Sequence, residues 1–312
     1  MLPLRTPPIF WRLMLTLLAC VTARAQESPP AAARAATADD EKDLRKISGI
    51  FDTDLPKTAR KGTVRLLIHP HLGDFTSRNY LRIVPGIRWG VSDHVELSAL
   101  VEAYLDHHLK GGSPGNGIGA LQFSGKYAFS QWLKPDYDAS VGINTRIPIA
   151  HPPIDLTDGY NHYTPYLVIS RKSPATKGLT YYASSTLDLM EKSSVRGIFR
   201  KNEAHSSSLT FGTGFVLDRY PYHYTLETGY QTIALVGQDN QQFVFLRPGF
   251  AWDLPRRLTF NSQGRWLVGV SVKFTVGPDG TRIDSGGKLR GELNIRRWFS
   301  GDKKTAPDPR SH

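Results

Sequence analysis

From Gly62 to Phe299 apolar residues alternate with small or polar ones in about a dozen separate stretches. A period of two predicts strands, because successive side chains leave opposite faces of an extended backbone. In the clearest stretch Leu81, Ile83, Pro85, Ile87, Trp89 and Val91 share one face, and Tyr80, Arg82, Val84, Gly86, Arg88 and Gly90 share the other. Val95, Leu97, Ala99, Val101 and Ala103 likewise oppose Glu96, Ser98, Leu100, Glu102 and Tyr104. Ala139, Val141, Ile143, Thr145 and Ile147 oppose Asp138, Ser140, Gly142, Asn144 and Arg146. Tyr222, Tyr224, Leu226, Thr228 and Tyr230 form another such face, and Leu289, Leu293 and Ile295 oppose Arg290, Glu292, Asn294 and Arg296. Weaker alternation covers 63–71, 118–129, 162–170, 179–189, 206–217, 241–252 and 258–274.

The faces are sorted in the reverse of a soluble protein. Charged residues share their face with Gly, Ser and Asn, as in a crowded wet interior, while the other face is aliphatic and aromatic with almost no charge. A soluble β-sandwich also alternates, but its strands average roughly five or six residues and its outward face is the charged one. Polar inside and apolar outside is the pattern of a membrane barrel, whose strands of about 9 to 11 residues plus a turn match the spacing seen here. The prediction is an all-β chain, an antiparallel transmembrane β-barrel of about 12 strands over residues 62–299.

Connection lengths alternate too. Gly90 to His94, Ser130 to Tyr137, Arg171 to Gly178, Leu217 to His223 and Asp253 to Arg257 are short or moderate, as periplasmic turns are. Gly73 to Asn79, His107 to Gly117, Ala150 to His162, Met190 to His205, Ala234 to Gln241 and Val276 to Gly287 are predicted as outward loops, several of them longer. Trp89, Trp132, Trp252 and Trp298 fall beside the predicted periplasmic turns or the final strand end, where an amphipathic ring prefers to sit.

The N-terminus assigns the compartment. Residues 1–25 carry Arg5 and Arg12, an apolar run from Leu13 to Val21 and a small-residue Ala23-Arg24-Ala25 site, the signature of a signal peptide cut before Gln26. Leu17-Leu18-Ala19-Cys20 is a rival cut, resembling a lipoprotein box with Cys20 lipidated. Residues 26–61, rich in Ala, Pro and Ser before an acidic stretch, are expected to form a flexible periplasmic segment, and 300–312 a C-terminal tail. Export then leads to the outer membrane of a Gram-negative-type bacterium.

Composition narrows the chemistry. A formal charge of +11 over 312 residues permits nucleic-acid binding, but Lys and Arg are scattered singly, so no nucleic-acid partner is expected. One cysteine excludes a disulfide framework and a multi-cysteine metal site within the chain. After the first 25 residues no apolar run approaches the roughly 18 to 20 residues of a membrane helix.

The stretch from Asp54-Leu55-Pro56 to the hairpin Trp89-Gly90-Val91-Ser92-Asp93-His94-Val95-Glu96-Leu97 resembles the opening of exported barrels of the phenol-degradation MetA-pathway family. The strand Gly117-Ile118-Gly119-Ala120-Leu121-Gln122-Phe123-Ser124-Gly125-Lys126-Tyr127 and Arg146-Ile147-Pro148 are similar to that family's motifs as well. Two departures stand out: Ala120 occupies a place where an acidic residue is frequent, and Phe299 precedes a 13-residue tail rather than ending the chain. The resemblance implies a transporter-like outer-membrane channel for small molecules, aromatic ones among them.

The assigned inner face carries Arg65, Arg82, Arg88, Lys126, Arg146, Arg247, Arg265, Arg290 and Arg296 with Glu96, Glu102, Asp138, Asp188, Glu227 and Glu292. These are the lumen candidates. They either pair into a packed, filled interior or leave a surplus of cations lining an anion-leaning pore. Counting about the Gly90 to His94 turn sets Arg88 near Glu96 and Arg82 near Glu102. His69, His71, His107, His108, His151, His162 and His205 show no metal-ligand spacing, so no metal or other cofactor is expected. His205-Ser206-Ser207 resembles the His and Ser of outer-membrane phospholipase A, without that enzyme's Asn-rich surroundings, so no catalytic residue is assigned. The leading expectation is a channel for small solutes; the alternatives are a structural barrel with a plugged lumen and partner-binding outer loops, and a lipid-acting enzyme. Expected partners are outer-membrane lipid and lipopolysaccharide, an unspecified small solute, and the barrel-assembly machinery during biogenesis.

Overall fold

The computed structural model describes residues 51–294, apart from 52, 60, 108, 110–114, 150–151, 154–155, 196–206, 234–240, 260–264 and 279, with no side chains described at 256, 265 and 292–294. The expected signal peptide, Cys20, the spacer before residue 51, the tail, Trp298, Arg296 and the His205-Ser206 pair lie outside the described residues.

Twelve strands follow one another: β1 Thr63–Pro70, β2 Tyr80–Gly90, β3 Val95–Asp106, β4 Gly117–Phe129, β5 Tyr137–Pro148, β6 Tyr160–Lys172, β7 Leu179–Lys192, β8 Ser208–Arg219, β9 Tyr222–Ile233, β10 Gln241–Asp253, β11 Arg265–Gly277 and β12 Gly280–Asn294. Each pairs antiparallel with its neighbours, and β1 closes on β12 with Arg65 opposite Glu292 and Leu67 opposite Arg290. The sheet is a closed barrel. A four-residue helix α1 (Asp74–Ser77) sits in the β1–β2 connection.

The alternation sorts the wall as predicted. On β3, Leu97 is 45% exposed on the outer face, whereas Glu96 and Ser98 are 3% and 9% exposed on the inner one. On β11, Val268, Val270, Val272, Phe274 and Val276 are all exposed, while Leu267 and Ser271 of the opposite parity are buried. Apolar side chains facing outward along nearly every strand are what a hydrocarbon surround requires. Trp89 and Trp132 stand at the end with the short connections, the end that also carries the exposed Tyr181, Tyr220 and Tyr222.

Three details differ from the sequence reading. The region Val276 to Gly287, expected as an outward loop, is largely strand: β11 runs to Gly277, β12 starts at Gly280, and Gly277 pairs with Gly280. Thr281, Ser285 and Gly287 hide it, because Ile283 is the one large apolar residue among them on the outer face, too few to show a period. The expected strand over 258–274 starts only at Arg265, so the β10–β11 connection is longer than predicted. Finally, Phe51 and 53–59, placed by sequence in a flexible segment before the barrel, lie inside its wall: Leu55 is buried against Val168, Tyr182, Val216, Ala251 and Leu267 from five different strands.

The register sets a test. An arginine on the lipid face near mid-barrel costs roughly 2–4 kcal/mol, so Val141→Arg on β5 is expected to lower the fraction that folds into lipid vesicles, read as the heat-modifiable band on a gel. Gln122→Arg, on the lumen side of β4, is expected to fold as the native chain does. Equal effects would deny the assignment of the two faces.

Candidate functional site

The candidate site is the lumen. Of the predicted inner-face residues, Arg65, Arg82, Arg88, Glu96, Glu102, Lys126, Asp138, Arg146, Asp188, Glu227, Arg247 and Arg290 stand on the lumen side of their strands. Arg265 and Glu292 share the inward register by backbone position, facing each other across β11 and β12.

Toward the short-connection end lies a cluster centred on Glu96. Its Oε1 lies 3.1 Å from Lys126 Nζ and 3.8 Å from Arg88 Nη1, and its Oε2 lies 3.4 Å from Arg65 Nη1. The cluster takes hold of the inserted segment. The Ala59 N–H donates to Glu96 Oε2 at 2.6 Å, and Lys126 Nζ donates to the carbonyls of Leu55 and Lys57 at 3.3 and 3.1 Å. Arg88 donates to the Asp54 carboxylate, the Thr53 hydroxyl donates to Glu227, and Thr58 Oγ1 donates to the Asp93 carbonyl at 2.7 Å. A charged lumen thus holds a polar backbone, while Leu55 enters the apolar patch of Val168, Tyr182, Val216, Ala251 and Leu267. Phe51 rests where the wall has no side chains: a Cβ on Gly249 would come 2.5 Å from its ring, and one on Gly269 3.0 Å. Phe51 and residues 53–59 are therefore a seated plug.

The hairpin pairing differs from the count. Arg88 stands opposite Ser98 and Arg82 opposite Tyr104, two residues beyond the expected partners. Arg88 reaches Glu96 only at 3.8 Å and is hydrogen-bonded instead to Asp54. Arg82 turns to Asp74 of α1, donating from Nε and Nη2 to the two carboxylate oxygens at 2.8 and 2.9 Å. Glu102 is left to Arg146, 2.8 Å away on β5. Hairpin arithmetic sees only adjacent strands, and both substitute carboxylates come from segments outside the wall.

A second polar group lies toward the long-loop end. Arg146 joins Glu102 to the loop by donating to the Leu156 carbonyl at 3.3 Å, and His162 sits between Asp158 and Asp188 at 2.8 and 2.9 Å. Burial would raise the Asp158 carboxyl, but hydrogen bonding to His162, with Arg146 nearby, holds it below its ordinary value. Leu156 of this loop packs on the inner residues Tyr80 and Tyr104, so the loop folds into the mouth. At the opposite end the buried His223 lies between Asp218 and Asp253, at 2.6 and 2.8 Å. Asp138 sits near the rim, accepting from the Gln131 N–H at 3.1 Å with Lys172 3.7 Å away.

Between plug and mouth is a cavity of about 210 Å³ whose lining includes Phe51, Val84, Leu100, Arg247, Lys273 and Lys288. Lys273 and Lys288 are inner-face cations that sequence reasoning missed. Lys288 is two residues before Arg290 on one face, so extending the alternation by a single step would have found it. Asp54, Asp74, Asp253 and His223 were missed as well. Asp54 and Asp74 lie outside any alternating stretch, so no periodic signal marked them.

The Glu96 cluster generates a stability test. Removing one partner of a buried charge group typically costs about 3–5 kcal/mol. Glu96→Gln is expected to lower unfolding stability by that order in a urea titration. Glu102→Gln is expected to cost less than half as much, since Arg146 keeps the Leu156 carbonyl and Asp158. Equal losses would deny Glu96 its central place.

No protein-family model and no curated protein matches the chain. Among solved structures it is similar to an outer membrane channel from Pseudomonas putida F1, at 9% identity and a TM-score of 0.49 over 78% of this chain and 98% of that one. It is similar also to the NanC porin, at 9% identity and a TM-score of 0.45 over 74% and 98%. A third is the KdgM porin in complex with disordered oligogalacturonate, at 9% identity and a TM-score of 0.42 over 74% and 98%.

Proposed function

We propose that the protein is an outer-membrane channel for small solutes, constricted by its own segment 51–59. The observation that carries this reading is the contrast between wall and plug. The wall is a closed twelve-stranded sheet with an apolar exterior and a charged interior, while the plug is an extended segment that adds no strand to it. A segment held by hydrogen bonds, one apolar contact patch and ion pairs can leave without opening the barrel. Twelve strands fall between filled eight-stranded barrels and open 16-stranded porins, so the conduit admits small molecules once the plug moves. The outer apolar belt and the rim tryptophans support residence in the outer membrane, in contact with lipid and lipopolysaccharide, after export with signal-peptide cleavage and insertion by the barrel-assembly machinery. The hairpin motifs similar to the MetA-pathway family favour small aromatic solutes, and no residue is assigned a catalytic role.

The plug also favours a second reading, a structural barrel whose filled lumen conducts nothing and whose outer loops bind partners. Conductance separates the two. Leu55→Asp puts a charge into the apolar patch, where an unpaired ion is costly, and leaves all twelve strands intact. In planar bilayers the native chain is expected to conduct weakly and the variant several-fold more. No current from either would leave the structural reading.

Orientation is tested separately. A labelling tag at Asp158 or Ser194 is expected to be reached from outside intact cells, and one at Asp93 or Ala175 is not. Labelling of the second pair alone would invert the barrel.

A further inference from the structure

We propose that the cavity above the plug is a binding site for a small organic carboxylate, with Phe51 of the plug as one wall, so that solute binding and plug seating stabilise each other.

The cavity has two unlike sides. Phe51, Val84 and Leu100 offer an apolar surface, and Arg247, Lys273 and Lys288 bring three cations from the neighbouring strands β10, β11 and β12. Asp284 is the one carboxylate among the described lining residues. Two of the cations lie on aromatic rings, with Lys288 Nζ 5.9 Å from the centre of Phe51 and Lys273 Nζ 4.5 Å from that of Phe245. Arg247 Nη1 lies 4.0 Å from Glu227 and Lys273 stands opposite Asp284 in register, but a guanidinium carries five donors and an ammonium three, so the group still offers an anion charge-assisted hydrogen bonds. An inorganic anion would leave the apolar side unused, whereas a carboxylate on a flat apolar body uses both. The volume of about 210 Å³ lies below the range of roughly 300–1,000 Å³ for drug-sized ligands, which selects a single-ring solute.

The floor is movable. Phe51 belongs to the plug and is seated by the bare backbones of Gly249 and Gly269. A plug that leaves takes the floor with it, so a solute that binds the seated state must also favour that state. As the solute class of the channel, the proposal rests on the reading above; binding is measured without conduction, so the two fail separately.

Calorimetric titration of the full chain in detergent provides the test, with benzoate, acetate and benzyl alcohol as probes. Benzoate is expected to bind at least roughly tenfold more tightly than either control, a difference of about 1.4 kcal/mol. Phe51→Ala and Lys288→Gln are each expected to bring benzoate down toward the controls. Gly286→Leu tests occupancy without changing charge. The nearest atom to a Cβ there is Ser271 Oγ at 3.7 Å, so the longer side chain grows into the cavity and is expected to abolish binding. Leu55→Asp, which replaces no lining residue but unseats the plug, is expected to weaken benzoate as Phe51→Ala does. Each variant is first shown to keep the heat-modifiable barrel. Benzoate binding no tighter than acetate, or unchanged by Phe51→Ala and Gly286→Leu, would overturn the site. Unchanged binding in Leu55→Asp would overturn the link to the plug.

Discussion

Everything in this barrel follows from the pairing of β1 with β12. In hydrocarbon an unpaired backbone N–H or C=O has no water to turn to, so a sheet survives there only when its last strand meets its first. The register that achieves this, Thr63 opposite Asn294 through Ile68 opposite Leu289, leaves no free edge. Once the wall is closed, parity assigns each side chain to lipid or lumen. The outer valines of β11 and the inner carboxylates of β3 are two results of one rule.

Closure creates the second problem, that of filling the interior. Charged side chains from opposite walls cannot all meet across twelve strands, and uncompensated buried charge is costly. The plug resolves part of this. Asp54 reaches Arg88, the Ala59 amide reaches Glu96, and Lys126 is shared between Glu96 and two plug carbonyls. Elsewhere the same demand is met by segments leaving the wall, with Asp74 of α1 taking Arg82 and Asp158 completing the set about His162. The two structures are held in different ways. The wall is held by continuous backbone ladders, and the plug by side-chain contacts and one apolar patch.

Much of this was legible beforehand. Alternation from Leu81 to Val91 and from Val95 to Ala103 gave both strands and both faces, because lipid imposes a strict period on the outer residues. It gave less where the outer face carries Thr281, Ser285 and Gly287, and the start of β12 was lost. The inner face was legible as a set of charges and illegible as a set of pairs. Arg82 and Glu102 share neighbouring strands, yet each is bound to a group from elsewhere.

The apolar exceptions on the inner face, Val168, Val216 and Leu267, were present in the sequence without a visible reason. Their reason is Leu55, more than a hundred residues away, and the bare backbones of Gly249 and Gly269 have theirs in Phe51. What the sequence determined by itself is the wall, its strand number and its two faces, because those depend on local period and on the surrounding solvent. The tertiary structure alone decided which charges meet, that Phe51 and residues 53–59 occupy the lumen and where a cavity remains above them, because contacts across a closed barrel join residues with no periodic relation along the chain.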